Sequence, residues 1–493
     1  MVEEKTTTLE TYFKGFRRDI IGVTHEIETP YGKKPLVYAD WIASGRLYAP
    51  IEDIMRDRIG PMVGNTHSES SQTGKLMTHL YETAKQLIKG HVNASEEDVI
   101  ITTDTGMTGV ICKFQRILGL KVPEKLSHLL EISESERPVI FLTHMEHHSN
   151  QTTWLETIAD VVVLEPSEGL FVAVEKLEQQ LEKYKDRKLK IGSFTACSNV
   201  TGVSAPYHEL AEIMHQHGGY CFVDFAASAP YVDIDMHPKK ESQRLDAIFF
   251  SPHKFLGGPG SSGVLVFNKK LYKNRIPDNP GGGTVTWTNP WGGHHFFESV
   301  EAREDGGTPG FLQTMKTALA IKLKEKMGVE KIRQRENELV RKCFEGLHKI
   351  KGIQVLAKEV RYRLGVFSFY FEDVHYNLAV KLLNDRYGIQ VRGGCSCAGT
   401  YGHLLLNVSK EDSKRITDQI DEGVLAEKPG WVRVSLHPTM TDEELDYILN
   451  AIRELSEHGK EWSREYRYNA NNNEFYHVQE KSEKPNLTDW FSL

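Results

Sequence analysis

The stretch DAIFFSPHKFLGGPGSSGVLVF (246–267) decides the fold. DAIFFS (246–251) and GVLVFN (263–268) are short apolar runs bounded by turn formers, the pattern of buried strands. Between them Lys254 stands just past the first run, after His253 and ahead of a glycine-rich turn. An apolar flank desolvates an amine, lowers its pKa and suits it to imine chemistry; a solvated loop lysine is the plainer alternative. Gly258, Gly260 and Gly263 have GxGxxG spacing but lead into a strand instead of opening a helix, which excludes a Rossmann dinucleotide site.

Working outward, the same alternation of strand and helix continues. DVIITT (98–103), PVIFLT (138–143), DVVVL (160–164), KIGSFTA (190–196) and YCFVDFA (220–226) read as further strands. Met107, Val110, Ile111, Phe114, Ile117 and Leu118 recur at helical spacing, and PYHELAEIMHQHG has Pro206 in its first turn with Gly218 and Gly219 beyond its end. The order predicts an α/β fold around a mostly parallel seven-stranded sheet. After Gly310 come two long charged helices, then strands GVFSFYF (365–371), GIQVR (388–392) and WVRVSLH (431–437), then a helix opened by Thr441 and Glu444. That is a smaller α+β C-terminal domain. The expected divisions are an N-terminal arm (1–35), a large domain (36–310), linking helices with the small domain (311–459), and a tail (460–493). The tail is polar and Asn-rich and reads as extended, with aromatic residues to clasp a neighbour. Charged segments 121–137 and 408–430 read as surface insertions.

Composition narrows the function. Of 493 residues, 39% are apolar and 26% charged, which fits a folded chain of two or three domains rather than a disordered or fibrous one. Sixty basic against sixty-eight acidic residues give a net charge of −8, offering no general field for nucleic acid or anionic lipid. No apolar run is long enough for a membrane span, and the start MVEEKTTTLETYFKG has no apolar leader core, so a cytoplasmic protein is expected. Its six cysteines should then stay reduced.

Other residues stand out singly. Asp224 closes a buried strand, where a carboxylate needs a cationic or donor partner; a protonated pyridine nitrogen is one, a turn amide another. His147, in THMEHHSN just after a strand, is placed to lie flat on an aromatic ring. His144, His147 and His148 lack the helical pairing of a zinc site, and Cys395 and Cys397 with His403 lack a fourth ligand, so no metal is expected. TDTGMTG precedes a helix, where amides and a hydroxyl make a phosphate cradle or an ordinary N-cap.

Taken in order, these segments resemble the class V aminotransferase family of pyridoxal-phosphate enzymes, fold type I, and within it cysteine desulfurases and selenocysteine lyases. The resemblance spans about residues 36 to 455. It rests on VYADWIASG, TTDTGMTG, MEHHSNQTTW, SNVTG, VDFAASAP, GGGTV, EDGGTPG, VRGGCSCAG and WVRVSLH, with SPHKFLGGPGSSGVL the most specific. It implies that Lys254 joins the aldehyde of pyridoxal 5'-phosphate, Asp224 pairs with the pyridinium, and His147 stacks on the ring. Thr105, Gly106, Ser251, His253 and a partner chain's Thr308 would hold the phosphate, Asn199 the phenolic oxygen, and Arg433 the substrate carboxylate. Two departures stand out. Ala227 replaces the glutamine that usually follows the aspartate by three residues, and Cys395 and Ser396 replace a His-His pair before Cys397.

The activity so implied is removal of sulfur from cysteine, giving alanine and a persulfide on Cys397, in a homodimer that passes sulfur to an acceptor protein. Arg392 is near enough in sequence to favour the Cys397 thiolate. An aminotransferase, epimerase or other C–S lyase on a different amino acid keeps the cofactor and changes the reaction. A family scaffold that binds without turnover keeps neither.

Overall fold

The computed structural model describes residues 8–66, 70–103, 105–480 and 486–492. The ends of the arm, Asp104 of the phosphate motif and part of the tail lie outside them. Seven strands form the main sheet, in the order Asp98–Thr103, Gly263–Asn268, Ala247–Phe250, Tyr220–Asp224, Lys190–Thr195, Val139–Leu142 and Asp160–Val163. All run parallel except Gly263–Asn268, which is antiparallel to both neighbours. The link from Ser251 to Ser262 carries only the three-residue 3-10 turn Pro252–Lys254. A parallel pair needs a crossover that is usually a helix, and with none in this link the chain returns antiparallel.

The sheet is buried on both faces, so its strands read as continuous apolar runs rather than alternating ones. Val99, Ile101, Phe222, Phe249 and Leu265 face a core with the helix Gly106–Ile117; Ile100, Val223, Ile248, Phe250 and Val264 face the other. The helix Tyr207–Gln216 follows Pro206, which is its N-cap and not part of the first turn, and Gly218 beyond it adopts φ +68°.

A second sheet of four strands, Ile353–Val355, Val366–Phe371, Trp431–Ser435 and Arg392–Gly394 in that order, is antiparallel throughout. Thr441 caps the helix Asp442–Trp462 by accepting from the Glu444 amide, as its spacing predicts. The segment Val37–Tyr38 pairs in parallel with Ile389–Gln390, so the start of the large domain is stitched to the small one.

The C-terminal region differs from the expectation of an extended tail. The helix continues to Trp462, and Tyr466–Asn469 and Glu474–His477 form an antiparallel hairpin. Its inward residues are anchored on the chain's own helix Tyr376–Tyr387: Tyr466 donates to Asp385 at 3.0 Å, and Asn473 donates to the Tyr376 hydroxyl at 2.7 Å. These aromatic side chains clasp their own small domain. Trp490 and Phe491 beyond them are exposed. Of the two charged segments, 121–137 carries one short helix, Glu124–Ser127, and 408–430 carries the helix Lys410–Asp421, which has no buried residue.

Candidate active site

A cavity of about 560 Å³ opens where the parallel strands end at their carboxyl sides, roofed by the small domain. Open α/β sheets place ligands there because loops diverge at strand ends. Of the residues singled out in the sequence, Thr105, Gly106, His147, Asn199, Asp224, Ser251, His253, Lys254, Cys397 and Arg433 line it together. Thr308 does not: it is exposed and outside this chain's own cavity.

At one end, Thr105 and Gly106 start the helix Gly106–Ile117. Gly106 has φ +61°, and a Cβ there would stand 3.1 Å from the Ser251 hydroxyl oxygen, so only glycine lets the backbone approach so closely. The Met107 amide donates to the Ser251 Oγ at 2.9 Å, tying the helix start to the loop that carries His253 and Lys254.

In the floor, Asp224 is buried, and that burial pushes its carboxyl up to about 6, against the pull of the Ala226 amide and Lys254. One oxygen accepts from the Ala226 amide at 2.7 Å, the turn bond anticipated as the alternative. No further hydrogen bond to the carboxylate is recorded among the described residues, which leaves it able to meet a cation. Burial pushes the Lys254 amine down to about 8; Asp224 opposes the shift and Arg433 and Arg392 add to it.

His147 caps the helix His148–Leu155, its Nδ1 accepting from the Ser149 amide at 3.1 Å. Burial, with Lys254 nearby, pushes the imidazole down to about 3. It is therefore a neutral ring with its proton on Nε2. Glu146 beside it is wholly enclosed and pushed up to about 8 by burial. It accepts from the Thr143 hydroxyl, the Asn150 side chain and the Thr195 amide, at 2.7, 2.7 and 2.9 Å, so it locks the histidine loop to the neighbouring strand.

The small domain supplies the other wall. Arg392 and Arg433 are direct partners across two antiparallel strands. Two like charges in that register repel. Asp40 resolves this: it accepts from Arg433 at 2.8 Å and from Arg392 at 3.2 Å. Asp40 and Glu146 were not singled out in the sequence. Asp40 sits in the apolar run VYADWIASG, and the argument that drew attention to Asp224 applies to it equally.

Asn199 lines the cavity; its amide nitrogen donates to the Ser396 carbonyl at 2.7 Å, and its buried Oδ1 has no partner among the described residues. The histidines weighed as ligands are otherwise engaged: His144 with the Leu170 carbonyl, His148 with the Gly399 amide, and His403 with Gly399 and Ser413.

The sequence profile described as Aminotransferase class-V matches residues 37–448. The chain belongs to that family. It is therefore a pyridoxal-phosphate-dependent enzyme. The chain is 29% identical over 371 residues to a probable cysteine desulfurase of Halalkalibacterium halodurans, covering 74% of this chain and 84% of that one. It is 27% identical over 429 residues to a probable cysteine desulfurase of Staphylococcus aureus, covering 86% and 93%. In fold it resembles the apo structure of a cysteine desulfurase from Thermococcus onnurineus, with TM-score 0.72, 23% identity, and coverage of 90% and 98%.

The cavity fits the cofactor of this family. Gly106 with its bare backbone, Ser251 and His253 would hold the phosphate; Asp224 keeps capacity for a ring nitrogen; His147 offers a neutral face; and Lys254 has an amine readily freed of its proton. No helix among the described residues is long and apolar enough to cross a membrane.

Proposed function

We propose that this enzyme is a cysteine desulfurase, converting cysteine to alanine with transfer of the sulfur to Cys397. The observation that carries this is the Cys397 side chain: exposed, on a loop of the small domain, and lining the same cavity as Lys254 and Arg433. The relatives named above support the same reading.

When bound, pyridoxal phosphate draws electrons from the amino acid's Cα, which makes the adjacent proton and the Cβ–S bond labile. The chain's residues do the rest. Arg433 receives the α-carboxylate, with Asp40 fixing the guanidinium's plane. Lys254 would carry the cofactor's aldehyde, and its free amine would take the Cα proton; a pKa of about 8 suits a base working near neutral pH. Asp224 would keep a proton on the ring nitrogen, and the neutral His147 would offer its face to the ring without competing for protons. The Cys397 thiolate attacks the substrate sulfur, an S–S bond forms as the Cβ–S bond breaks, and the carbon skeleton keeps that electron pair, takes up a proton and leaves as alanine.

The exposure of Thr308 away from its own cavity supports a homodimer in which it completes the neighbour's phosphate site. The exposed Cys397 supports hand-over to an acceptor protein, and six unpaired cysteines fit a reducing cytoplasm. The test is alanine formation from cysteine by the cofactor-loaded protein, with Cys397→Ala in parallel. We expect the variant to keep its bound-cofactor absorbance and lose turnover by roughly 10²-fold or more. Unchanged alanine formation in the variant would reject Cys397 as the thiolate that takes the sulfur, and no alanine from the unaltered protein would leave a reaction on another amino acid.

A further inference from the structure

The segment Cys395–Ala398 is a closed four-residue turn. The Ala398 amide donates to the Cys395 carbonyl at 3.1 Å, and the two central residues, Ser396 and Cys397, have φ +51° and +57°. Positive φ at both central positions is the mirror-image turn that normally demands glycine or asparagine. Here it is occupied by a serine and a cysteine, each strained by its Cβ. Three bonds from the large domain hold the turn in place: His148 amide to Cys397 carbonyl at 2.7 Å, Asn199 side chain to Ser396 carbonyl, and Gly399 amide to His148 Nε2 at 3.0 Å.

A backbone held against its own preference by several anchors points to a function for that shape. What the shape does is set two thiols apart in surroundings while keeping them close in space. Cys397 is exposed and lines the cavity. Cys395 is half-buried, does not line the cavity, and packs against the apolar core of the small domain. Two peptide units keep their α-carbons within roughly 7 Å, the range over which two cysteine sulfurs can meet by side-chain rotation.

We propose that Cys395 is a second catalytic thiol, which takes the sulfur from Cys397 across the turn. This rests on the desulfurase reading. The step is an exchange of one bond. The Cys395 thiolate attacks the terminal sulfur of the Cys397 persulfide, the bond from that sulfur to Cys397 Sγ breaks, and Cys397 leaves as thiolate. The Cys395 persulfide keeps the proton of the transferred SH group. No electrons enter or leave, so no oxidant or reductant is needed. Cys397 is thereby cleared for a second cysteine while the first sulfur waits outside the cavity for its acceptor.

The experiment is an anaerobic reaction of the cofactor-loaded protein with a small molar excess of cysteine and no added reductant. It is quenched with iodoacetamide and read as alanine per chain, with tandem mass spectrometry of the peptide carrying both thiols. The expected result is about two alanines per chain with persulfide on both residues, falling to about one in Cys395→Ser and Cys395→Ala with persulfide on Cys397 alone. Retained cofactor absorbance in these variants shows that the site is intact. One alanine per chain in the unaltered protein, with persulfide only on Cys397, overturns the relay and spares the desulfurase reading. A Cys395–Cys397 disulfide with released sulfide also overturns it, since the pair would then discharge the sulfur rather than pass it. No alanine from the unaltered protein, or an unchanged burst in Cys397→Ser, overturns the desulfurase reading itself.

Discussion

The floor of the cavity and the turn that closes it are built on opposite principles. Asp224, Lys254 and His147 sit at or just beyond the ends of strands whose side chains are fully enclosed, and burial is the first cause of each of their shifted pKa values. The turn Cys395–Ala398 has an exposed nucleophile and a strained backbone held by anchors from elsewhere. A group that must hold a charge or proton state through a reaction benefits from a rigid, dry setting. A sulfur carrier must reach into the cavity and out again, and a loop can do that. The comparison predicts that changes to the floor act through electrostatics and depend on pH, while changes to the turn act through backbone conformation and do not.

The largest effect is expected where the two regions meet. Asp40 neutralises Arg433 from the buried side and Arg392 from the half-exposed one. Asp40→Ala leaves a buried guanidinium uncompensated beside a second positive charge, and such losses are about 3–5 kcal/mol. Thermal or urea unfolding of the variant should show that loss. A second change, Arg392→Gln in the Asp40→Ala background, should recover part of it by removing the repulsion. An Asp40→Ala variant as stable as the original would mean that the arginines do not depend on this carboxylate and that the wall is not one electrostatic unit.

How much of this was legible beforehand differs between the regions for a physical reason. The floor announces itself because strand, turn and functional residue are adjacent in sequence: Phe250, Ser251 and Lys254, or Val223 and Asp224. The seven strands were read to within a residue or two for the same reason. Their directions were not, since an apolar run has no direction and the reversal of Gly263–Asn268 follows from a link that carries no helix. The pairing of Asp40 with Arg433 joins residues 393 positions apart, and no local pattern encodes it. The hairpin Tyr466–His477 was masked by composition. Its turn, NANNN, looks like a polar tail, yet Tyr466 and His477, paired across the two strands, are buried.

A middle-sized effect tests the floor by itself. The folded chain raises the Asp224 pKa to about 6, above the ordinary aspartate value. Between about pH 4 and 6 the native chain thus holds a proton that the unfolded chain has lost, so this residue lowers stability as pH rises through that window. In the cofactor-free protein, Asp224→Asn removes the penalty while keeping an acceptor for the Ala226 amide. The variant should be more stable than the original at pH 7 by roughly 1–3 kcal/mol, with the gap closing below about pH 4. Its cofactor affinity should fall over the same pH range, because the ring nitrogen loses its counter-charge. A stability difference that ignores pH would show that packing, not charge, dominates at this position.

The smallest effect tests the turn. Ser396 holds φ +51°, and its hydroxyl is buried without a partner, so two separate costs fall on one residue. Ser396→Gly relieves both, offset by the greater freedom of glycine in the unfolded chain, and a net gain of about 1 kcal/mol is expected. Unlike the change at Asp224, the gain should be the same at pH 5 and pH 8, because nothing in it titrates. It should also carry a kinetic signature: a glycine at this position no longer steers Cys397 into one conformation, so turnover should fall while the folded state becomes more stable. A variant that is stabilised without loss of turnover would show that the strain is not part of how the nucleophile is held. A destabilised one would show that the serine hydroxyl has a partner in solution and that the turn is less strained than its backbone angles imply.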